Sequence, residues 1–175
     1  MLSHAASETG EKAAFPLNEM AEEYFKVAFH SQPVRQENGK EFNCDLVFKG
    51  DEKVGMVKGV RSDIGRAMLN IMTNAFEAVQ LQKEQKGEAF QPKVIVETKK
   101  RAKGVEVVIT DNGPGVSKED QQKIFDPFFT TKPPNKGTGL GLSLAFETIV
   151  LVHKGKLNVE SELGKGTSFK IFLPA

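Results

Sequence analysis

Apolar residues recur at a spacing near 3.6 residues in some segments of the chain and at every second residue in others, which is typical of helices and strands respectively. The helical spacing predicts three main helices and one short capped helix, at 17–28, 63–79 or one turn beyond, 117–123 and 142–153. The alternating spacing predicts five strands, at 42–48, 94–97, 105–109, 157–162 and 167–173. Ser62 and Asp63 are the expected N-caps of the long helix, and the polar segment 80–92 is expected to be a loop.

Helices mixed with hairpins predict an α+β fold, in which the helices cover one face of a mainly antiparallel sheet. We expect a two-layer α/β sandwich, with a mixed sheet of about five strands beneath three main helices. A chain of 175 residues is long enough to bury a core as one domain. Residues 1–14 are small and polar and are interpreted as a linker or tail, which leaves 15–175 as the domain.

Composition and charge exclude several classes of function. The 24 basic and 23 acidic residues give a net charge of +1, which provides no general attraction to nucleic acid or to a membrane surface. The basic cluster at 99–103 lies between two predicted strands and is interpreted as a solvated hairpin turn. Cys44 is the one cysteine, so no internal disulfide or cysteine metal cluster can form. Without a membrane-length apolar run or a signal peptide, we expect a cytoplasmic location and no direct membrane contact.

Three glycines, Gly137, Gly139 and Gly141, alternate directly before the predicted helix at 142–153. The segment GTGLGL matches neither G-x-x-x-x-G-K-[ST] nor G-x-G-x-x-G, so both common nucleotide-binding fingerprints fail. Alternating glycines nevertheless let backbone N–H groups approach an anion closely, and a following helix adds its positive N-terminus. Taken alone, the segment fits a flexible loop equally well.

The long predicted helix carries a polar stripe beside its apolar face. The apolar face follows the i, i+3, i+4, i+7 spacing and consists of Ile64, Ala67, Met68, Ile71, Met72, Ala75 and Val79. The polar stripe consists of Arg66, Asn70, Asn74 and Glu77. Asparagine is a mediocre helix former, but its amide can ligate a hard cation through oxygen or donate to a phosphate. The alternative is an ordinary polar outer face.

A third polar signal follows the predicted strand at 105–109. Asp111 ends this strand and is followed by Gly113 and Gly115, which turn the chain sharply. A carboxylate fixed at a strand end can accept a hydrogen bond from an exocyclic amine such as that of adenine, and glycine leaves room for a flat ring. A plain Asp-Asn-Gly turn is the alternative. The distinguishing feature is the order of the three signals along the chain.

These segments resemble, in order, the motifs of one nucleotide-binding superfamily. NIMTNAFEAV resembles the N box, DNGPGV the first glycine box, IFDPFFTTK the F box and GTGLGL the second glycine box of the Bergerat-fold ATP-binding superfamily. Sensor histidine kinases, DNA gyrase, mismatch-repair clamp proteins and heat-shock chaperones belong to it. The F box and short lid are most similar to the catalytic ATP-binding domain of two-component sensor histidine kinases. The resemblance covers roughly residues 15–175.

The resemblance implies a site for ATP and Mg²⁺. It implies that Asn74 ligates Mg²⁺, that Asn70 faces the phosphates and that Asp111 holds the adenine amine. The other implied ATP-binding positions are Gly113, Gly115, Phe125, Lys132, Lys136, Gly137, Thr138, Gly139, Leu140, Gly141 and Thr167. The implied apolar anchor of the ATP lid consists of Phe125, Phe128 and Phe129. Thr167 would support Asp111, and the two lysines fit solvated lid charges equally well.

Position 70 separates the branches of this superfamily. In gyrase-type ATPases a glutamate lies four residues before the Mg²⁺-binding asparagine and activates water. Asn70 occupies that position here and cannot act as a base, so the sequence favours phosphoryl transfer over vigorous hydrolysis. Glu77, one turn beyond Asn74 on the same stripe, is a weak rival base.

The resemblance also implies partners. A sensor kinase phosphorylates a histidine on a helical-hairpin dimerisation domain, and a response regulator acts downstream. His4, His30 and His153 are interpreted as surface or cap residues. We therefore expect a monomeric chain that lacks the phosphoacceptor histidine and in which the segment 1–14 is the end of the hairpin. The resemblance leaves open whether the parent protein has a membrane anchor. Two other classes stay open: an ATP-gated clamp or chaperone-type ATPase, and an anti-sigma-type serine kinase or binding module.

Overall fold

The computed structural model describes residues 10–32, 42–130 and 140–175. The strands in these segments are β1 Ala13–Pro16, β2 Asp45–Lys49, β3 Met56–Gly59, β4 Lys93–Arg101, β5 Gly104–Asp111, β6 Lys156–Glu162 and β7 Gly166–Pro174. The α-helices are α1 Leu17–His30, α2 Arg61–Lys86, α3 Lys118–Gln121 and α4 Gly141–Phe146. A 3₁₀ turn spans Glu52–Val54, and α4 continues directly into a π-helical segment, Glu147–Val152.

Five of these strands form one sheet in the order β2-β4-β5-β7-β6. β2 pairs with β4 in parallel, and the three remaining pairings are antiparallel. β1 and β3 form a separate two-stranded antiparallel sheet. Side chains of α1, α2 and α4 share one apolar core with the inner face of the five-stranded sheet. The predicted two-layer α+β fold with a mixed, mainly antiparallel sheet is confirmed.

The core lies between the long helix and the sheet. All seven residues predicted for the apolar face of α2 are buried. They pack against β5 and β4. Phe169, Ile171 and Leu173 of β7 enter the same core, because every second strand side chain points to the same side of a sheet. In the part of the chain that the structure describes, every helix is too short or too polar to cross a membrane.

The start of α2 differs from the prediction. Its N-cap is Val60, which makes no side-chain capping hydrogen bond, while Ser62 and Asp63 lie inside the first turn. The backbone N–H of Val60 donates to Nε2 of His153 at 3.1 Å, and Nδ1 of the same ring lies 2.8 Å from the carbonyl oxygen of Thr148. A contact from the far end of the chain therefore replaces a local cap. The interpretation of His153 as a cap residue is confirmed, because it is the C-cap of the segment Glu147–Val152. The alternative of a surface residue is wrong, because its side chain is buried.

Two other boundaries were also misplaced. α2 continues to Lys86, so the predicted loop at 80–92 begins seven residues too early. The glutamines, leucine and lysines of this segment are good helix formers. Ala13 and Ala14 pair with β3, although they fall in the segment interpreted as a tail. That strand is recognisable only through its partner, which is distant in sequence.

Candidate nucleotide-binding site

Residues from all three polar sequence signals lie on the long helix α2 or beside it. Asn70 and Asn74 are half-buried on one line of the helix, and Ala78 follows one turn later. A Cβ placed on Gly141 would lie 3.8 Å from Cβ of Asn70, and one placed on Gly113 would lie 2.8 Å from Cβ of Ala78. Gly113 and Gly141 thus lie beside positions of α2 that are about 12 Å apart along its axis.

Asp111 lies at the end of β5 and is 4% exposed. Its Oδ1 accepts a hydrogen bond from the backbone N–H of Gly113 at 2.8 Å. Its Oδ2 is buried and has no hydrogen-bond partner among the described residues. Buried polar atoms are rarely left unpaired, so this oxygen fits a donor that a ligand supplies, such as an exocyclic amine.

Burial controls the charge of this carboxyl group. It raises the pKa of Asp111 from 3.8 to about 7, against the opposing effect of the backbone N–H groups of Gly113 and Thr167. Removing a carboxylate from water disfavours its ionised form. The free site therefore holds a carboxyl group that exchanges its proton near neutral pH.

The turn after Asp111 is held from one side by the hairpin between β6 and β7. The backbone N–H of Gly164 donates to the carbonyl of Pro114 at 2.8 Å, and that of Val116 donates to Oγ of Ser161 at 2.7 Å. Gly115 has a φ of +80°, and a Cβ on it would lie 2.3 Å from the carbonyl oxygen of Glu162. Glycine is required at position 115 for both reasons.

The same turn is held from the other side by Asn112. Its Oδ1 accepts from the backbone N–H of Lys93 at 2.9 Å, and its Nδ2 donates to the carbonyl of Gln91 at 2.9 Å. Neither Asn112 nor Ser161 was predicted from the sequence. Their hydrogen-bond partners lie in other segments of the chain, so only the position of Asn112 between Asp111 and Gly113 could have drawn attention to it.

Thr167 lies directly opposite Asp111 in the pairing of β5 with β7. It was predicted to support Asp111, and its backbone N–H does lower the pKa of that residue. Its hydroxyl oxygen, however, lies 2.8 Å from Oγ of Ser161 on β6. The threonine side chain is therefore engaged with β6 rather than with the carboxyl group.

Phe125 forms the root of the predicted lid. Its ring stacks on Phe146 of α4 at a centroid distance of 5.5 Å and meets Phe169 of β7 edge-on at 6.2 Å. Phe128 does not belong to this anchor, because it is 72% exposed and has a φ of 66°. Phe129 is half-buried. The predicted three-residue anchor is therefore wrong at Phe128.

The remaining predicted site residues divide into two groups. Leu140 and Gly141 are described: Leu140 is the N-cap of α4, and its carbonyl accepts from the backbone N–H of Leu144 at 2.9 Å. Five further predicted residues lie outside the described segments, namely Lys132, Lys136, Gly137, Thr138 and Gly139. Their predicted contacts with ATP stay predictions.

We expect the stability of the nucleotide-free domain to fall as the pH rises from about 4 to about 7. In this window the folded state holds a proton on Asp111 that the unfolded state has lost, because the folded pKa is about 7, and the state that binds more protons is favoured at lower pH. Urea unfolding should show a loss of about 2 kcal/mol between about pH 5 and pH 8, relative to the non-titrating variant Asp111→Asn. The same pH dependence in both proteins would contradict a raised pKa.

The chain is similar to known kinases over most of its length. The family model for histidine kinase-, DNA gyrase B-, and HSP90-like ATPases matches residues 59–175. The signal transduction histidine-protein kinase AtoS of Escherichia coli strain K12 is 33% identical over 140 residues, which cover 79% of this chain and 21% of AtoS. Sensor histidine kinase ZraS of the same strain is 30% identical over 145 residues, which cover 83% of this chain and 29% of ZraS. The chain thus spans less than a third of the length of either relative.

Solved structures agree with this similarity. The catalytic domain of histidine kinase ThkA is 31% identical and superposes with a TM-score of 0.74, covering 94% of this chain and 96% of that domain. ThkA in complex with the response regulator protein TrrA is 25% identical, with a TM-score of 0.70 and coverage of 99% of this chain and 46% of that chain. The predicted resemblance is confirmed, and an ATPase domain of this kind binds ATP. The chain belongs to the family of histidine kinase-, DNA gyrase B-, and HSP90-like ATPases.

Proposed function

We propose that the chain is the catalytic ATP–Mg²⁺-binding domain of a sensor histidine kinase, which donates the γ-phosphoryl group of ATP to a histidine on a separate dimerisation domain. One observation carries the proposal: the asparagine stripe, the acidic glycine turn and Gly141 at the start of α4 all lie along one side of α2. The buried, unpartnered Oδ2 of Asp111 is the expected acceptor for the adenine amine. The phosphates would then extend along α2 toward Asn70 and Gly141.

Asn74 is the proposed Mg²⁺ ligand. The described residues contain no group of three or more His, Cys, Asp or Glu side chains that could hold a metal ion by themselves. Nucleotide-bound Mg²⁺ needs only one or two protein ligands and takes the others from phosphates and water, so the half-buried amide of Asn74 fits this role. Bound Mg²⁺ would neutralise phosphate charge during transfer, and this chain's residues would position the nucleotide.

The acceptor histidine is proposed to lie on another domain. His30 is exposed at the end of α1, His4 lies outside the described residues, and both ring nitrogens of the buried His153 have backbone partners. The proposed partners are a histidine-containing dimerisation domain of the same kinase and a downstream response regulator. We propose a monomeric, cytoplasmic domain that contacts neither nucleic acid nor membrane.

Phosphoryl transfer to a helical-hairpin acceptor domain tests the function. With γ-labelled ATP and Mg²⁺, we expect the chain to label the acceptor domain of a related sensor kinase, with an acid-labile phosphate that is lost when the acceptor histidine is replaced. An acid-stable phosphoserine on a partner would instead indicate the serine-kinase alternative. Steady hydrolysis that Glu77→Gln abolishes would indicate a clamp-type ATPase, since Glu77 lies half-buried on the same stripe.

Asn74→Ala should remove the Mg²⁺ dependence of nucleotide binding. We expect Mg²⁺ to strengthen binding of a non-hydrolysable ATP analogue to the native chain by about tenfold or more, because a ligated cation offsets the triphosphate charge. Calorimetry with and without Mg²⁺ measures this ratio. Asn158→Ala, which alters an exposed asparagine on β6, is the matched control and should behave like the native chain. A Mg²⁺ effect of native size in Asn74→Ala would refute the metal assignment.

A further inference from the structure

Three polar side chains form a row across the inner face of the sheet at the end that carries the candidate site. Asp111 on β5 pairs with Thr167 on β7, and Thr167 pairs with Ser161 on β6. Directly paired residues of antiparallel strands point to the same face of a sheet. The row therefore places a carboxyl group and two hydroxyl groups side by side.

The hydrogen bonds of Ser161 fix the direction of this row. Its Oγ lies 2.8 Å from the carbonyl oxygen of Gly166, which can only accept, so the one hydroxyl hydrogen of Ser161 is donated there. The same oxygen accepts from the backbone N–H of Val116 at 2.7 Å. A serine hydroxyl has one donor and two acceptor sites. Its contact with the hydroxyl of Thr167 at 2.8 Å must therefore be a hydrogen bond in which Thr167 donates.

The direction of this hydrogen bond determines what the hydroxyl group of Thr167 can offer to Asp111. Because Thr167 donates its only hydroxyl hydrogen to Ser161, it has none for the carboxyl group. This agrees with the finding that Oδ2 of Asp111 has no partner within the described segments. The hydroxyl oxygen of Thr167 and the ionised carboxylate of Asp111 then present lone pairs alone to a ligand.

We propose that Ser161 is a positioning residue that gives the site its preference for a purine with an amino group at position 6. It acts through Thr167, by keeping the threonine hydroxyl an acceptor, and so excludes a 6-oxo purine, whose carbonyl needs a donor. This inference rests on the proposed ATP-binding function. It concerns the choice of base and is independent of the phosphoryl acceptor.

The test compares the binding of ATP and ITP, which differ at position 6 of the purine, to the native chain, Ser161→Ala and Ser161→Thr. Binding is measured above about pH 8, where the carboxyl group of Asp111 is ionised and cannot itself donate to a 6-oxo group. In Ser161→Ala the hydroxyl of Thr167 is free to rotate and can donate to a 6-oxo group or to Asp111. We expect the ATP-over-ITP affinity ratio from calorimetry to fall by about five- to tenfold. Ser161→Thr keeps the hydroxyl and should retain most of the native ratio.

The outcomes separate this inference from the function on which it rests. A native chain that binds neither nucleotide overturns both. A native preference for ATP that is unchanged in Ser161→Ala, with both affinities lowered equally, shows a structural role and overturns only the inference. If Ser161→Ala does not fold, Thr167→Val, which removes the acceptor oxygen at constant shape, must reduce the ratio in its place, and an unchanged ratio overturns the proposal.

Discussion

Asp111→Asn is expected to weaken ATP binding by about 100-fold or more. The amide NH₂ of the asparagine would face the adenine amine, and since both groups are donors, one hydrogen bond is lost and both groups are left unpaired. Gly113 N–H donates to Oδ1 of Asp111, so the asparagine must keep its oxygen at that position. Its NH₂ group then replaces Oδ2, which is the buried atom without a partner among the described residues. The change converts the proposed acceptor for adenine into a donor. Calorimetry with a non-hydrolysable ATP analogue measures the loss.

A second aspartate provides the control for this change. Asp45→Asn alters an exposed carboxylate at the start of β2, whose hydrogen bond from Gln91 is long, at 3.4 Å, and it should leave the affinity unchanged. Above about pH 7, Asp111→Asn should unfold at a urea concentration no lower than the native chain, because a carboxylate that burial destabilises has been removed. Native affinity in Asp111→Asn would remove this residue from the proposed adenine site.

Gly166→Ala is expected to destabilise the domain by about 3 kcal/mol or more and to abolish ATP binding. Gly166 has a φ of +132°, and a Cβ on it would lie 2.0 Å from the backbone carbonyl oxygen of Asp111. The contact is with backbone, so relief requires the end of β5 or the start of β7 to move. Either movement displaces Asp111. Urea unfolding and calorimetry measure the two effects.

Gly164 provides a matched control within the same hairpin turn. It also has a positive φ, of +83°, but a Cβ on it would meet nothing within 4 Å. Gly164→Ala should therefore cost only the backbone strain, about 1 kcal/mol, and should retain ATP binding. Equal losses in the two variants would show that backbone conformation, and not the contact with Asp111, explains the requirement for glycine at position 166.

The local spacing of apolar and polar residues predicted much of the fold and of the candidate site. Periodicity identified the α2 face that packs on the sheet and the final hairpin, because burial on one side of a helix or strand imposes a spacing that any short window contains. The order of the asparagine stripe, Asp111 with its glycines and the glycine-rich helix start indicated the family. The same order predicted site residues that the structure brings together along α2, among them Asn70, Gly113 and Gly141.

The tertiary structure alone decided the features that depend on partners distant in sequence. Val60 rather than Ser62 caps α2, because His153 reaches its backbone N–H. Ser161 and Thr167 share a hydrogen bond because β6 and β7 pair in one register. The oxygen of Asp111 that lacks a partner among the described residues is buried because the core removes it from water. A one-dimensional pattern records which side of an element is buried, but hydrogen-bond direction and desolvation are set only when separate segments meet.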